Sequence, residues 1–392
     1  MQIKILNITT QHEVCGIAKY QEQYMEALND HEGIKSDLFP YSPNITKLMS
    51  RAQFSAVLAE FEQQLQDYDI LHLQHEFAFY RGNQLGQYFD VAKKLGKKIV
   101  VTIHTSPEIV HLPAVSPRGV RSGLLFLKNI SAERHFDQSF ISPMHQADRI
   151  LVHNLRTHHV LLDLKLSADK VKLIELPVPM LGQISPSARL HKALSVKSGD
   201  VLIGIVGFVA KVKGVDHAVR ALSFLPDNYK LAIIGGIHPQ SADMGYLDYV
   251  CDIVVQHGLQ DRVYITGFVP ENDELNRLIR ECDICVYPYE QHYYAGVSSA
   301  ALADAFANHK PVIAYPTAAF QELNTHNEAM ILCKSFNYYE LARELKGINI
   351  EAARKASTLF AVGHSYPKVA PKVISAYENL LSGVRQQTDA KD

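Results

Sequence analysis

The run ILHLQHEFAFY at residues 70–80 closes an apolar stretch with two imidazoles and a carboxylate, His72, His75 and Glu76. A further imidazole, His104, ends the run KIVVTIH at 98–104. Groups of this kind can hold a metal, move protons or line a sugar-sized pocket. The zinc-binding pattern HExxH would need a histidine at position 79, which is Phe79. On an extended strand His72 and His75 point to opposite faces, because side chains alternate. His75 and Glu76 are therefore expected on a polar rim at the strand end, and His72, inside the apolar run, in a buried structural role.

Two more stretches carry candidates. In GIVGFVAKVKGVDHAVRAL (204–222), Lys211 and Lys213 fall in a loop between a strand ending at Gly207 and a helix beginning near Gly214. Cations there can neutralise a diphosphate, the plainer alternative being two solvated lysines. In YYAGVSSAALADAFANHKPVIAY (293–315), Ser298 or Ser299 caps a helix running to Asn308. Its free N–H groups and dipole would attract an anion. Gly296 lets the backbone approach a ligand, and Asp304, two turns in, can accept hydrogen bonds from ribose hydroxyls. Most helices are capped, so this feature alone says little. Together with a lysine loop in the same domain it suggests a nucleotide-diphosphate site.

The elements that must position these residues alternate between strand and helix. Strand-like runs occupy 3–8, 69–73, 98–104, 149–153 and 171–176, and Ile17, Tyr20, Tyr24 and Leu28 fall at helical spacing, as do Phe54, Leu58, Phe61 and Leu65. PVPMLGQISPSAR (177–189) breaks the alternation and reads as a linker. It resumes with runs at 201–207, 229–236, 262–267, 283–289 and 311–315. The expected fold class is α/β, two doubly wound Rossmann-like domains facing each other across a cleft, with ligands at the carboxyl ends of the strands. The chain's 392 residues suit two domains.

Composition narrows the function. An apolar share of 47%, a charged share of 20% and a net charge of −2 suit a soluble protein and carry no nucleic-acid footprint. The opening MQIKILNITT reads as a strand rather than a signal peptide, and no apolar run reaches the ~18 residues of a membrane span. Five scattered cysteines (15, 251, 282, 285 and 333) favour a reducing, cytoplasmic setting, and the CDIC pair at 282–285 reads as buried thiols within a strand.

At these residues the chain resembles a retaining glycosyltransferase of family four, of the GT-B fold, over nearly its whole length. CGIAKY (15–20) is similar to the family's first-domain glycine loop, HLQHEFAFY to its HLQHEFG strand end, and VVTIH to the strand carrying its active-site histidine. GFVAKVKGVD is similar to the loop whose lysine grips the diphosphate. RVYITGFVPENDELNRLIRECDICVYPY follows the segment that shapes the nucleobase pocket, and ADAFANHKPVIAY corresponds to EAMACGTPVVAS. HSYPKVAPKVISAYENLL (364–381) resembles the last helix, which crosses back onto the first domain. The resemblance implies an acceptor domain over 1–180, completed by a helix at 366–385, and a donor domain over 181–365.

It further implies a nucleoside-diphosphate sugar donor, a hexose such as mannose or glucose, and a glycan or lipid-linked acceptor in polysaccharide or cell-envelope glycan synthesis. His104 and Lys213 take the catalytic places. Gly16, Lys211, Lys213, Phe268, Val269, Ser298, Ser299 and Asp304 take the donor, and His75 and Glu76 face the acceptor. No cofactor and no metal are expected. The departures are specific. The family's paired glutamates become Gly296 and Asp304, as in a sub-branch with a Ser/Gly-rich turn, and its loop arginine becomes Phe208. Glu290 is a weak substitute for the lost glutamate. That loss motivates the alternative of a degenerate member that binds nucleotide sugar or glycan without turnover, and an epimerase on the same architecture is a third reading. Finally, in PRGVRSGLLFLKNISAERHF (117–136), Arg118, Arg121, Lys128 and Arg134 bracket Leu124, Leu125 and Leu127. It reads either as an ordinary helix packed on the core or as a basic amphipathic surface that grips an acceptor's phosphates or makes a peripheral contact at the inner face of a membrane.

Overall fold

The computed structural model describes residues 2–11, 16–110, 132–238, 245–325 and 327–388. The chain divides into two compact units, one formed by residues up to Glu175 together with the segment from Tyr366, the other by Leu176–Ser365.

The first unit is built on six strands: β1 (Ile3–Thr10), β2 (Ile34–Tyr41), β3 (Ile70–His75), β4 (Lys98–Ile103), β5 (Arg149–Val152) and β6 (Val171–Leu173). All pair in parallel, in the order β2-β1-β3-β4-β5-β6. Parallel strands covered by helices are buried on both faces, and β3 is buried at every residue. Leu71, Leu73, Ile99, Val101, Ile150 and Val152 lie on one apolar face of the sheet. The helix Gly16–Asn29 buries Tyr20, Tyr24 and Leu28, the residues spaced four apart. The long helix Tyr366–Thr388 packs beside it, with Tyr366 against the rings of Tyr20 and Tyr24. The sequence reading missed β2. Its IKSDLFPY mixes polar residues with a proline, which the sheet tolerates because β2 is an edge strand paired to β1 alone.

The second unit repeats the plan with β7 (Val201–Val206), β8 (Tyr229–Ile234), β9 (Val263–Ile265), β10 (Ile284–Tyr287), β11 (Val312–Ala314) and β12 (Ile331–Leu332). The parallel order is β12-β11-β10-β7-β8-β9. Alternate residues serve its two faces: Leu202, Val206, Ala232 and Ile234 on one, Ile203, Ile205, Leu231 and Ile233 on the other. The chain winds from β7 outward through β8 and β9, then returns to place β10 on the other side of β7. The switch point therefore lies between β7 and β10, where a doubly wound sheet opens a crevice at the carboxyl ends of its strands. The stretch read as a linker is tied to this unit: Arg280 donates to the carbonyls of Ile184 and Gly182, and Glu281 accepts from Ser187 and from the backbone N–H of His191.

Cys282 and Cys285 are buried, and burial pushes the Cys285 thiol up to about 12, as suits apolar filling. Among the described residues no helix is long and apolar enough to cross a membrane. Residues 117–131 of the basic segment, with Arg118, Arg121 and Lys128, lie outside the described residues. Arg134 is exposed.

Candidate functional site

The second unit concentrates its candidates at the β7/β10 switch point. After β7 the chain passes Gly207 and forms a single tight turn, Lys211–Lys213, closed by Gly214 before the helix Val215–Leu222. Gly214 has φ 62°, and a Cβ there would lie 2.1 Å from the Pro288 carbonyl oxygen. Only glycine permits both the left-handed turn and this approach. The turn is thereby pressed against the segment that follows β10. The Lys213 side chain reaches back over the end of β7, its ammonium 2.7 Å from where a Cβ on Gly207 would stand.

Lys213 Nζ donates to the Tyr289 hydroxyl at 3.2 Å and lies 5.1 Å from the centre of that ring. Tyr289 is fully buried and shares a hydrogen bond with Ser299 Oγ at 3.1 Å. Ser299 Oγ in turn accepts from Leu302 N–H at 3.2 Å and caps the helix Ala300–Ala307. Tyr289 thus joins the lysine turn to the helix N-terminus. Burial, with the Asp304 carboxylate nearby, raises its phenol and keeps it neutral beside the cation. Sequence reasoning passed over Tyr289, which looks like one more apolar position in DICVYPY. Of the two serines weighed as cap, Ser299 caps the helix and Ser298 does not.

Around this centre, Asp304 sits in the second turn of the capped helix and is only 7% exposed. Lys211 is exposed, on the outer side of the turn, where a cavity of about 680 Å³ also meets Asp216, His217, Tyr246 and Tyr315. Phe208, in the place of an arginine, stacks on Phe268 with ring centres 6.0 Å apart and lies 4.5 Å from the His238 ring. Val269 packs on the core below. Glu290 is exposed, and its carboxylate accepts from the Tyr293 N–H at 2.8 Å. This fixes the turn that follows.

In the first unit the candidates collect at the carboxyl ends of β3, β4 and β5. His72 is buried as expected: its Nδ1 pairs with the Tyr377 hydroxyl at 2.6 Å and its Nε2 with Thr102 Oγ1 at 2.8 Å. His75 departs from expectation. It is 2% exposed, not on an open rim, because the rings of Phe77, Tyr80 and Phe140 close around it. Phe140 comes from 65 positions downstream, and no local pattern announces it. Burial holds the His75 imidazole down to about 3. Glu76 is half-buried, and its carboxylate accepts from Thr105 Oγ1 at 2.6 Å and from Phe77 N–H at 2.9 Å. Burial nonetheless raises it above the usual carboxylate value.

His104 follows β4 and pairs through Nε2 with the carboxamide oxygen of Gln74 at 2.8 Å. Its ring lies edge-on to Tyr20, 4.9 Å away, and 5.3 Å from the ring of His153. His153, also missed in the sequence, donates from Nδ1 to the Ile174 carbonyl at 3.0 Å, and its buried Nε2 has no partner among the described residues. Burial lowers both imidazoles, His153 to about 4, and the neighbouring histidines push His104 down further. Both are neutral near pH 7 and carry an acceptor lone pair. Thr9, Thr10 and Ser106 add buried hydroxyls that have no partner among the described residues at the ends of β1 and β4, a polar sheet end of the kind a hydroxyl-rich ligand would suit. Gly16, exposed, opens the first helix. Among the described residues no group of three or more His, Cys, Asp or Glu is placed to hold a metal ion.

Comparison with known proteins adds the following. Residues 187–351, less than half of the chain, match the family model of glycosyl transferases group 1. The 2-deoxystreptamine glucosyltransferase of Streptomyces kanamyceticus is 30% identical over 164 residues, which is 41% of this chain and 39% of that enzyme's length. HepE of Anabaena, in its complex with UDP and glucose, aligns over 96% of this chain and 100% of its own, with a TM-score of 0.69 and 16% identity. Sucrose-phosphate synthase from Thermosynechococcus elongatus aligns over 97% and 100%, with a TM-score of 0.68 and 18% identity. The two doubly wound units thus have the GT-B fold, and the second carries the sequence pattern of glycosyl transferases group 1.

Proposed function

We propose that the protein is a retaining, metal-independent glycosyltransferase that moves a hexose from a nucleoside-diphosphate sugar to a hydroxyl of a glycan or lipid-linked acceptor, acting in the cytoplasm. The observation that carries this reading is the bonded sequence Lys213–Tyr289–Ser299, which sets a fixed ammonium beside the free N–H groups of a capped helix at the switch point. Such an arrangement suits a leaving diphosphate, whose charge grows as the glycosidic bond breaks. Lys213 neutralises the phosphate nearest that bond, and Lys211 and the amides near Gly16, Ser298 and Ser299 assist. Phe268, paired with Phe208, offers a face to the base, with Val269 beneath, and Asp304 accepts from the ribose.

In the reaction the sugar's C1–O bond to the phosphate breaks as the acceptor hydroxyl attacks from the same face. The hydroxyl proton passes to the departing phosphate oxygen, so atoms and charge balance without an added base. His104 accepts from a sugar hydroxyl, Glu76 faces the acceptor, and His75 supports it from beneath. The relatives favour UDP-glucose as the first donor to try, since the Anabaena structure carries UDP and glucose and the Streptomyces enzyme is a glucosyltransferase.

The test is a panel of nucleotide sugars screened by thermal stabilisation and then by sugar transfer and donor hydrolysis. Stabilisation by one donor, with transfer or hydrolysis that survives EDTA, is the expected result. Stabilisation without any turnover would support the second reading, a nucleotide-sugar binder that has lost catalysis, which Gly296 in place of a glutamate favours. No stabilisation by any nucleotide sugar would overturn both.

A further inference from the structure

We propose that Gln74 is a positioning residue: its buried carboxamide oxygen fixes His104 as the Nε2–H tautomer and leaves Nδ1 as a lone-pair acceptor for a substrate hydroxyl. The proposal rests on the reading above, in which His104 meets the sugar.

The geometry argues for it in steps. A neutral imidazole has one donor and one acceptor nitrogen, and its function depends on which nitrogen carries the proton. The Gln74 oxygen can only accept, and it stands 2.8 Å from His104 Nε2. That nitrogen must therefore donate. Nδ1 makes no hydrogen bond to any described residue, so its lone pair is left for a ligand. Gln74 is fully buried and cannot swing away to water. Its amide nitrogen faces His72 Nε2 at 3.5 Å, and His72 is itself held by Thr102 and by Tyr377 of the long final helix. His72 and Gln74 lie two apart on β3 and so share a face, opposite β4. The buried His72, which the transfer chemistry leaves unused, thus props the carboxamide that sets His104.

The groups around His104 favour a neutral ring. Tyr20 from the first helix, His153 after β5, and His72 and His75 of β3 surround it, and none is a carboxylate. Replacing Gln74 by glutamate would change this with almost no change of shape. A carboxylate accepting from Nε2–H stabilises the imidazolium and raises its pKa. Below that new pKa, Nδ1 would carry a proton and could no longer accept.

The experiment uses the full chain with ¹⁵N-labelled histidine, the His104 signals being identified by their loss in His104→Gln. Wild type should show one Nε2–H tautomer, unchanged from pH 6 to 8. In Gln74→Leu, which keeps the volume but cannot accept, the tautomers should mix, and kcat for sugar transfer should fall about tenfold, the worth of one neutral hydrogen bond. In Gln74→Glu, kcat should fall at low pH and recover as the pH rises, giving an acid limb that wild type lacks. A purely structural role would lower activity equally at every pH. A wild-type Nδ1–H tautomer, or a single Nε2–H tautomer retained in Gln74→Leu, would overturn the proposal. If wild type transfers no sugar at all, the functional reading falls, and the tautomer spectra alone still decide the role of Gln74.

Discussion

Replacing Lys213 by alanine tests the proposed phosphate site most directly. Its ammonium is held by the Tyr289 hydroxyl at 3.2 Å above the end of β7, where Gly207 leaves room for it. A phosphate oxygen about 4 Å away, at an effective dielectric near 20, would interact with it by roughly 4 kcal/mol. Only the part that grows with the leaving charge speeds the reaction. For a preorganised donor that share is about 3 kcal/mol, or roughly a hundredfold in kcat. The cost to the fold is much smaller. One hydrogen bond and one half-exposed cation over a ring are worth about 1 kcal/mol together, and the melting temperature should fall by roughly 2–4 °C. Lys213→Arg should recover only part of the rate, because the larger guanidinium meets Gly207 and Ala301 in the space the ammonium fills. The assay is steady-state transfer, or donor hydrolysis, beside a thermal melt of each variant. A Lys213→Ala enzyme within threefold of wild type and with unchanged UDP affinity would refute the assignment.

The other expectations follow from burial and chemistry. Asp304→Asn, nearly isosteric in its 7% exposed position, should weaken nucleotide binding about tenfold by calorimetry, and Asp304→Glu should retain it; equal affinity for wild type and the Asn variant would count against a ribose contact. Transfer should survive EDTA, and full loss restored by magnesium or manganese would overturn the metal-independent mechanism. Stability should decline in mild acid. His72 and His75 are held down to about 3 and His153 to about 4, against 6.5 when unfolded. Between about pH 6.5 and 4 the unfolded chain binds more protons, so lowering the pH favours it. Each histidine withdraws about 2 kcal/mol by pH 5. A melting temperature that stays level from pH 7 to pH 5 would show that these imidazoles are not buried as described.

Where strands are hydrophobic throughout, the sequence was enough to read them. Ten of the twelve were found because parallel strands between helices write themselves as short apolar runs. The two that escaped have no such run: β2 is an edge strand with polar positions and a proline, and β12 is two residues long. The lysine turn and the capped helix were legible because their chemistry is local. What joins them was not. Tyr289 meets Lys213 across 76 positions, and nothing in VYPY marks its hydroxyl as the link. His75 was misplaced for the same reason. The rule that strand ends are polar and open is local, and it fails when an aromatic side chain from a distant segment folds over the end. Gln74 reads as a polar interruption in a buried strand, and its meaning depends on His104, thirty residues away.

The last helix sets an order of events during synthesis. The first unit is not complete until Tyr366 and Tyr377 arrive, yet the second unit must be made in between. At about 5–20 residues per second, the roughly 200 intervening residues take on the order of 10–40 s to emerge. During that interval Tyr20 and Tyr24 have no Tyr366 to cover them, and His72 has no phenol for its Nδ1. The nascent first unit therefore waits with an uncovered tyrosine face and an unsatisfied buried imidazole. The second unit, continuous in the chain, is free to fold first. A chain cut after Ser365 would keep every residue of the second unit but leave the first without the phenols of Tyr366 and Tyr377, and its tyrosine face open.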